Sequence, residues 1–188
     1  FRSSLQVGSM TMLSRVLGLL RDIVIARVFG ASANADAFFV AFKIPNFLRR
    51  LFAEGAFSQA FVPVLAEYKA DGSIAAVKAL VNRVAAVLGG TLLFVTGISM
   101  FAAPLITTIF APGFVSQPEK FYLTTAMTRI TFPYLFLISM TGFCGAILNS
   151  FGRFAVPAFT PFFLNLSLIF AALVAAPWFD EPVFALAW

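Results

Sequence analysis

The sequence contains no histidine and only one cysteine, Cys144, among its 188 residues. Zinc sites and imidazole acid–base catalysis depend on histidine or on several cysteines, so neither is expected within this chain. A single cysteine cannot form an internal disulfide. A nucleotide-binding loop of the GxxxxGK[ST] type is also missing. The sequence therefore predicts no cofactor and no metal, and it gives little support to hydrolytic or group-transfer chemistry.

Charge is also scarce, at 11% of residues against roughly 25% in an ordinary soluble domain, while 61% of residues are hydrophobic. Two uncharged runs, 84–118 and 154–179, exceed the roughly 18 residues that mark a transmembrane helix. The net charge of +5 comes from cations scattered through apolar segments and not from a polar basic face. We therefore predict an all-α, polytopic bundle of transmembrane helices in contact with membrane lipids, and no nucleic-acid partner.

The order of apolar and polar stretches predicts five membrane spans and the start of a sixth. They cover residues of about 4–29, 36–67, 83–110, 125–149 and 157–176, and the sixth begins at 183. The chain begins with Phe1 and stops inside a new apolar run, so we expect the protein to continue at both ends. Lysine and arginine are most frequent in the connections on the side of the N-terminus, which predicts a cytoplasmic N-terminus.

The first two predicted spans carry an unusual number of charges. Between residues 14 and 54 these are Arg15, Arg21, Asp22, Arg27, Asp36, Lys43, Arg49, Arg50 and Glu54. Each charge near the bilayer centre costs roughly 2.5 to 3.5 kcal/mol, so three deep arginines would cost on the order of 8 to 10 kcal/mol. An excess of buried cation requires an anion, and the planar guanidinium binds phosphate in a bidentate manner. The sequence thus predicts a cationic intramembrane cavity and a lipid-linked diphosphate as its ligand.

Helical periodicity leaves two questions open. Arg49 and Arg50 point about 100° apart, so an unbroken helix cannot turn both toward one ligand, although a kink at Pro45 could change this. Some of the charged side chains, namely those of Arg27, Lys43 and Glu54, could instead form ion pairs or extend toward the membrane–water interface.

Four sequence blocks resemble the MurJ/MviN family of bacterial lipid II flippases, within the multidrug, oligosaccharidyl-lipid and polysaccharide exporter superfamily. They are MTMLSRVLGLLRDIVIARVFGAS from Met10, NADAFFVAFKIPNFLRRLFAEGAFSQAFVPVLAEYK from Asn34, ITFPYLFLIS from Ile130 and GAILNSFGRFAVPAFTP from Gly145. The resemblance implies a transporter of fourteen helices in two lobes in the bacterial inner membrane. Residues 1–188 would form the N-terminal part of the first lobe, and the second lobe would be a partner that this chain lacks.

The same resemblance implies a function and a set of residues. Members of the family move the undecaprenyl-diphosphate-linked peptidoglycan precursor, lipid II, across the inner membrane by alternating access for cell-wall synthesis. The substrate-binding positions of the family correspond here to Arg15, Arg21, Asp36 and Arg49, and supporting cavity positions correspond to Asn46, Arg50 and Glu54.

Two other functions fit the residues. A related exporter of another polyprenyl-linked glycan or of a drug would have the same fold. A membrane enzyme that acts on lipid diphosphates would use the same cationic cavity, but it would release a chemically altered product.

Overall fold

The computed structural model of the chain describes residues 2–30, 32–49, 56–70 and 72–188. These residues form helices and short connections without a β-strand, which confirms the predicted all-α fold. The α-helices of the described ranges are α1 Arg2–Phe29, α2 Ala33–Arg49, α3 Ala56–Ala70, α4 Ile74–Phe101, α5 Ala103–Phe110, α6 Pro118–Ser150 and α7 Ala155–Phe170.

Three helical segments among the described residues are long and apolar enough to cross a membrane: Ile74–Phe101, Pro118–Ser150 and Ala155–Trp178. Their surfaces carry large exposed apolar side chains. On α4, for example, Phe94 is 69% exposed and Phe101 is 89% exposed. Such side chains suit contact with lipid, because a bilayer imposes no penalty on exposed hydrocarbon.

The predicted third span, 83–110, falls on the two helices α4 and α5. The helix α4 already begins at Ile74, where Ser73 caps it by accepting a hydrogen bond of 3.2 Å from the backbone N–H of Ala76. Lys78 and Arg83 lie exposed on the first turns of α4. The helix stops at Phe101, and α5 starts with Pro104 in its first turn, where a missing backbone N–H costs nothing.

The predicted fourth span, 125–149, lies within α6, which begins at Pro118 and ends at Ser150. Glu119 and Lys120 precede the predicted span and belong to the first turn of α6, where an acidic residue interacts favourably with the helix dipole. The fifth predicted span, 157–176, corresponds to α7 followed by a π-helical turn, Ala171–Ala175, and a 3₁₀ turn, Ala176–Trp178. At the start of the predicted sixth span lies a 3₁₀ helix, Pro182–Leu186.

The predicted second span, 36–67, covers α2 and α3, and its middle part, residues 50–55, lies outside the described residues. Pro45 lies buried inside α2 and cannot donate a hydrogen bond to the carbonyl of Ala41. The hydroxyl of Thr131 on α6 donates to that carbonyl instead, at 3.1 Å. The proline is thus accommodated by a neighbouring helix, which supplies the donor that the backbone lacks.

Two helix pairs make the main contacts of the fold: α2 packs on α6, and α1 packs on α7. One core cluster joins α1, α2, α6 and α7 through Ile25, Phe38, Met127 and Leu168. A second joins α2, α4 and α6 through Ile44, Leu92, Phe132 and Leu135. These contacts fix α2 against α6 along much of its length.

Polar contacts lie at both ends of the helices. At one end, the Lys69 ammonium donates to the Ser150 carbonyl and lies 4.3 Å from the centroid of the Phe151 ring, which joins the C-terminal ends of α3 and α6. At the other end, Asn34 donates to Glu181 at 3.0 Å, and Lys120 forms a 2.8 Å ion pair with Asp36. The helix bodies between these contacts are mostly apolar.

Candidate functional site

A cavity of about 580 Å³ lies where α2, α6 and α7 meet, with Val62 of α3 at its edge. Its walls are largely apolar, but they contain several groups that donate or accept hydrogen bonds. These polar lining residues are Asn46, Arg49, Tyr134, Thr141, Asn149, Ser150 and Thr160. A mostly apolar cavity with a few convergent polar groups is the usual form of a small-molecule site.

The helix α2 contributes Asn46 and Arg49 to this cavity. They are three residues apart and therefore lie on the same face of the helix. The amide of Asn46 donates to the Phe42 carbonyl at 3.2 Å and accepts a hydrogen bond from the Tyr134 hydroxyl at 3.4 Å. Asn46 is thus held between α2 and α6, one helical turn from Arg49, which is the only arginine among the described residues that line the cavity.

The opposite walls come from α6 and α7, which approach closely at the start of α7. A Cβ atom added to Gly145 would lie 3.3 Å from Cβ of Pro157, a distance that leaves little space for any larger residue. This close approach places Tyr134, Thr141 and Asn149 of α6 beside Thr160 of α7 in the same cavity.

Arg21 lies outside this cavity, between α1 and α7. Its guanidinium donates two hydrogen bonds to Asp22 Oδ1, at 3.0 Å from Nε and 2.7 Å from Nη2. Nη1 donates to Oδ1 of Asn165 on α7, at 3.0 Å. The Arg21 side chain remains 25% exposed and the Asp22 side chain 57% exposed, so a ligand can reach this group.

The other predicted site residues are not gathered with Arg49. Arg15 is exposed on α1 and does not line the cavity. Asp36 lies at the start of α2, in the ion pair with Lys120. Arg49 follows thirteen positions later in the same helix, which corresponds to about 20 Å along the helix axis at 1.5 Å per residue. Arg50 and Glu54 lie outside the described residues.

The chemistry of this arrangement is that of anion and hydroxyl recognition. Arginine supplies fixed positive charge, and hydroxyl and amide groups can bind the polar parts of a ligand. In the described part of the chain, His, Cys, Asp and Glu nowhere form a group of three or more that could hold a metal ion.

The sequence reasoning missed Tyr134, Asn149, Thr160 and Asn165. For Asn165 a signal existed, because it is the only amide in the apolar run FTPFFLNLSLIF of α7, and a buried amide needs partners. The other three residues resemble ordinary helix positions in sequence, and only the packing of α6 on α7 brings them to one cavity.

Comparison with known proteins identifies the family. The family described as "Lipid II flippase MurJ" matches residues 25–188. The lipid II flippase MurJ of Burkholderia cenocepacia is 48% identical over 188 residues, which is 100% of this chain and 36% of that protein. The probable lipid II flippase MurJ of Vibrio cholerae is 47% identical over 193 residues, covering 99% of this chain and 37% of the relative.

A solved structure shows the same fold. It is entitled "Lipid II flippase MurJ, inward closed conformation" and matches with a TM-score of 0.80 and 31% sequence identity, over 96% of this chain and 38% of the solved chain. The chain thus spans a little over one third of the length of the relatives that it matches. Since the sequence match extends over nearly the whole chain and the solved fold agrees with it, the chain belongs to the lipid II flippase MurJ family.

Proposed function

We propose that the complete protein moves lipid II from the cytoplasmic to the periplasmic leaflet of the bacterial inner membrane, for peptidoglycan synthesis. The observation that supports this most is Arg49 in a cavity between apolar helices, in a chain of this family. A diphosphate would bring negative charge to this arginine, while the lipid tail stays in the bilayer. The second lobe of the transporter would complete the site.

In this proposal Arg49 and Arg21 bind the diphosphate, and Arg15 adds positive charge on the same helix as Arg21. Asn46 positions α2 at the cavity through its contact with Tyr134. Arg50 and Glu54 are proposed as supporting residues on the strength of the sequence pattern alone. Alternating access then exposes the site to each side of the membrane, with the N-terminus in the cytoplasm.

The proposed reaction breaks no covalent bond, so the protein acts as a transporter and not as an enzyme. Two other functions are distinguishable by product. An exporter of another glycan lipid or of a drug would move that molecule in preference to lipid II. A lipid-diphosphate enzyme would change the mass of its substrate.

A substitution at Arg49 tests the proposal in cells. In a strain whose own flippase can be depleted, the complete protein with Arg49→Lys should export at least about tenfold less lipid II than the parent, because lysine keeps the charge but loses the bidentate fork. Export is measured by the accessibility of lipid II to an outer-leaflet probe, together with growth after depletion.

The matched control is Arg83→Lys, at an exposed arginine of α4 that does not line the cavity. This variant should export lipid II at the parental rate. Parental export by Arg49→Lys, at equal protein level in the membrane, would contradict the proposed role of Arg49.

A further inference from the structure

The side chain of Asn165 connects two turns of α1 to α7. Its Nδ2 group donates to the backbone carbonyl of Ser14 at 3.1 Å, and its Oδ1 accepts from Nη1 of Arg21 at 3.0 Å. Asn165 is only 7% exposed, and Ser14 is 8% exposed. Both ends of the amide are therefore engaged inside the α1–α7 interface.

The interface has space for this amide because α1 carries glycine opposite it. A Cβ atom added to Gly18 would lie 3.6 Å from Nδ2 of Asn165. Ser14, Gly18 and Arg21 succeed each other along one face of α1, at intervals of four and three residues. Asn165 thus contacts α1 along a face that leads directly to Arg21.

The hydrogen bonds of Arg21 within the protein determine how many of its N–H groups remain to bind a ligand. Asp22 and Asn165 engage three of the five N–H groups of the guanidinium. In the described part of the chain, two N–H groups therefore remain for a ligand. A long arginine side chain that is already fixed loses less conformational entropy when a ligand binds.

We infer that Asn165 is a positioning residue that holds the Arg21 guanidinium ready for a diphosphate; this inference rests on the proposed function. An amide suits the position because it is neutral. A carboxylate there would place a second negative charge beside Arg21, in addition to Asp22, and would weaken its attraction for an anion. An apolar residue would leave one N–H group of Arg21 without its partner on α7.

The test is a binding experiment on the complete purified protein in detergent, with undecaprenyl diphosphate as the probe and undecaprenol as the lipid without phosphate. Asn165→Ala should lower the affinity for the diphosphate about tenfold, as expected when a hydrogen bond to a charged group is lost. In an Arg21→Ala background the same substitution should lower it no further. The exposed amide variant Asn82→Ala on α4 should bind the diphosphate as the parent does.

The combination with Arg21→Ala separates positioning from a purely structural role. If Asn165→Ala leaves the affinity for the diphosphate unchanged, or lowers it equally with and without Arg21, the inference is wrong. If the parent binds undecaprenyl diphosphate and undecaprenol equally, the proposed function fails, and this inference with it. If the parent binds the diphosphate more tightly than undecaprenol, and Asn165→Ala binds it as tightly as the parent does, only the inference about Asn165 is contradicted.

The isosteric variant Asn165→Asp keeps the test decisive if Asn165→Ala does not give monodisperse protein. It preserves the shape of the side chain and loses the bond that Nδ2 donates to the Ser14 carbonyl, but the added ion pair to Arg21 offsets this loss, so we expect the variant to fold. Its affinity for the diphosphate should nevertheless fall about tenfold or more, because two carboxylates would then face the one guanidinium and repel an anion. An affinity equal to or above that of the parent would overturn the inference.

Discussion

Asp36 and Arg49 lie near opposite ends of α2, and each has its own set of neighbours. Asp36 pairs with Lys120 at the first turn of α6, and the Lys120 ammonium lies 4.3 Å from the centroid of the Phe114 ring. Arg49 lies with Asn46 at the cavity. A direct contact of Asp36 with the same diphosphate stays a prediction, whereas its ion pair suggests a different role, in holding α2 to α6.

A charge exchange separates these two roles of Asp36. In the complete protein, Asp36→Lys alone should lower lipid II export, because it places two cations together. The double variant Asp36→Lys with Lys120→Asp should recover at least about half of the parental export, because it restores an ion pair at the same place. Export is measured with the outer-leaflet probe at equal protein levels. A double variant as impaired as Asp36→Lys would indicate that Asp36 itself contacts the substrate.

The sequence was sufficient to name individual site residues, but not to predict which of them lie together in the folded protein. Arg49 and Asn46 were both named as site residues from the sequence, and both line the cavity, but the sequence did not group them with each other. Arg21 could not be paired with Asn165, since 144 residues separate them and only the packing of α1 on α7 brings them together. Lys120 lies before the predicted fourth span, because charged residues in a sequence fit a loop and the first turn of a helix equally well.

At the scale of elements, α2 and α6 are joined by the bond from Thr131 to the Ala41 carbonyl. The Thr131 hydroxyl, which also lies 3.2 Å from the Thr128 carbonyl, satisfies a buried acceptor that Pro45 leaves without a backbone donor. The sequence indicated Pro45 as the residue at which α2 could kink. It could not identify the helix that donates to the Ala41 carbonyl, because that depends on tertiary packing.

This link predicts a coupling between Pro45 and Thr131. Thr131→Val should destabilise the protein by about 1 to 2 kcal/mol, because it leaves the Ala41 carbonyl buried without a donor. In a Pro45→Ala background the same substitution should cost less than half as much, since the N–H of residue 45 can then bond to that carbonyl. Thermal unfolding in detergent measures both effects.

A control for this prediction is Thr108→Val, at an exposed threonine whose hydroxyl bonds only within its own helix, to the Pro104 carbonyl at 2.9 Å. This variant should unfold near the parental temperature. If Thr131→Val destabilises the parent and the Pro45→Ala variant equally, the two residues act independently and the predicted coupling is wrong.

At the scale of the whole molecule, the described polar contacts between helices lie both at the helix ends, as between Asp36 and Lys120, and within the helix bodies, as between Arg21 and Asn165. Composition was sufficient to predict a helical membrane protein, since uncharged apolar runs of this length are typical of transmembrane helices. It was not sufficient to predict which helices pair, because apolar faces are interchangeable in a bilayer and small local contacts select the partner. Gly18 beside Asn165 and Gly145 beside Pro157 are two such contacts.

The central claim is that the complete protein moves intact lipid II with the help of Arg49. Reconstitution of the purified complete protein into liposomes, with fluorescent lipid II in the inner leaflet, tests it most directly. The account predicts that lipid II reaches the outer leaflet with unchanged mass, that Arg49→Lys slows this at least about tenfold, and that Arg83→Lys does not. A chemically altered product, or equal rates for the parent and Arg49→Lys, would contradict it.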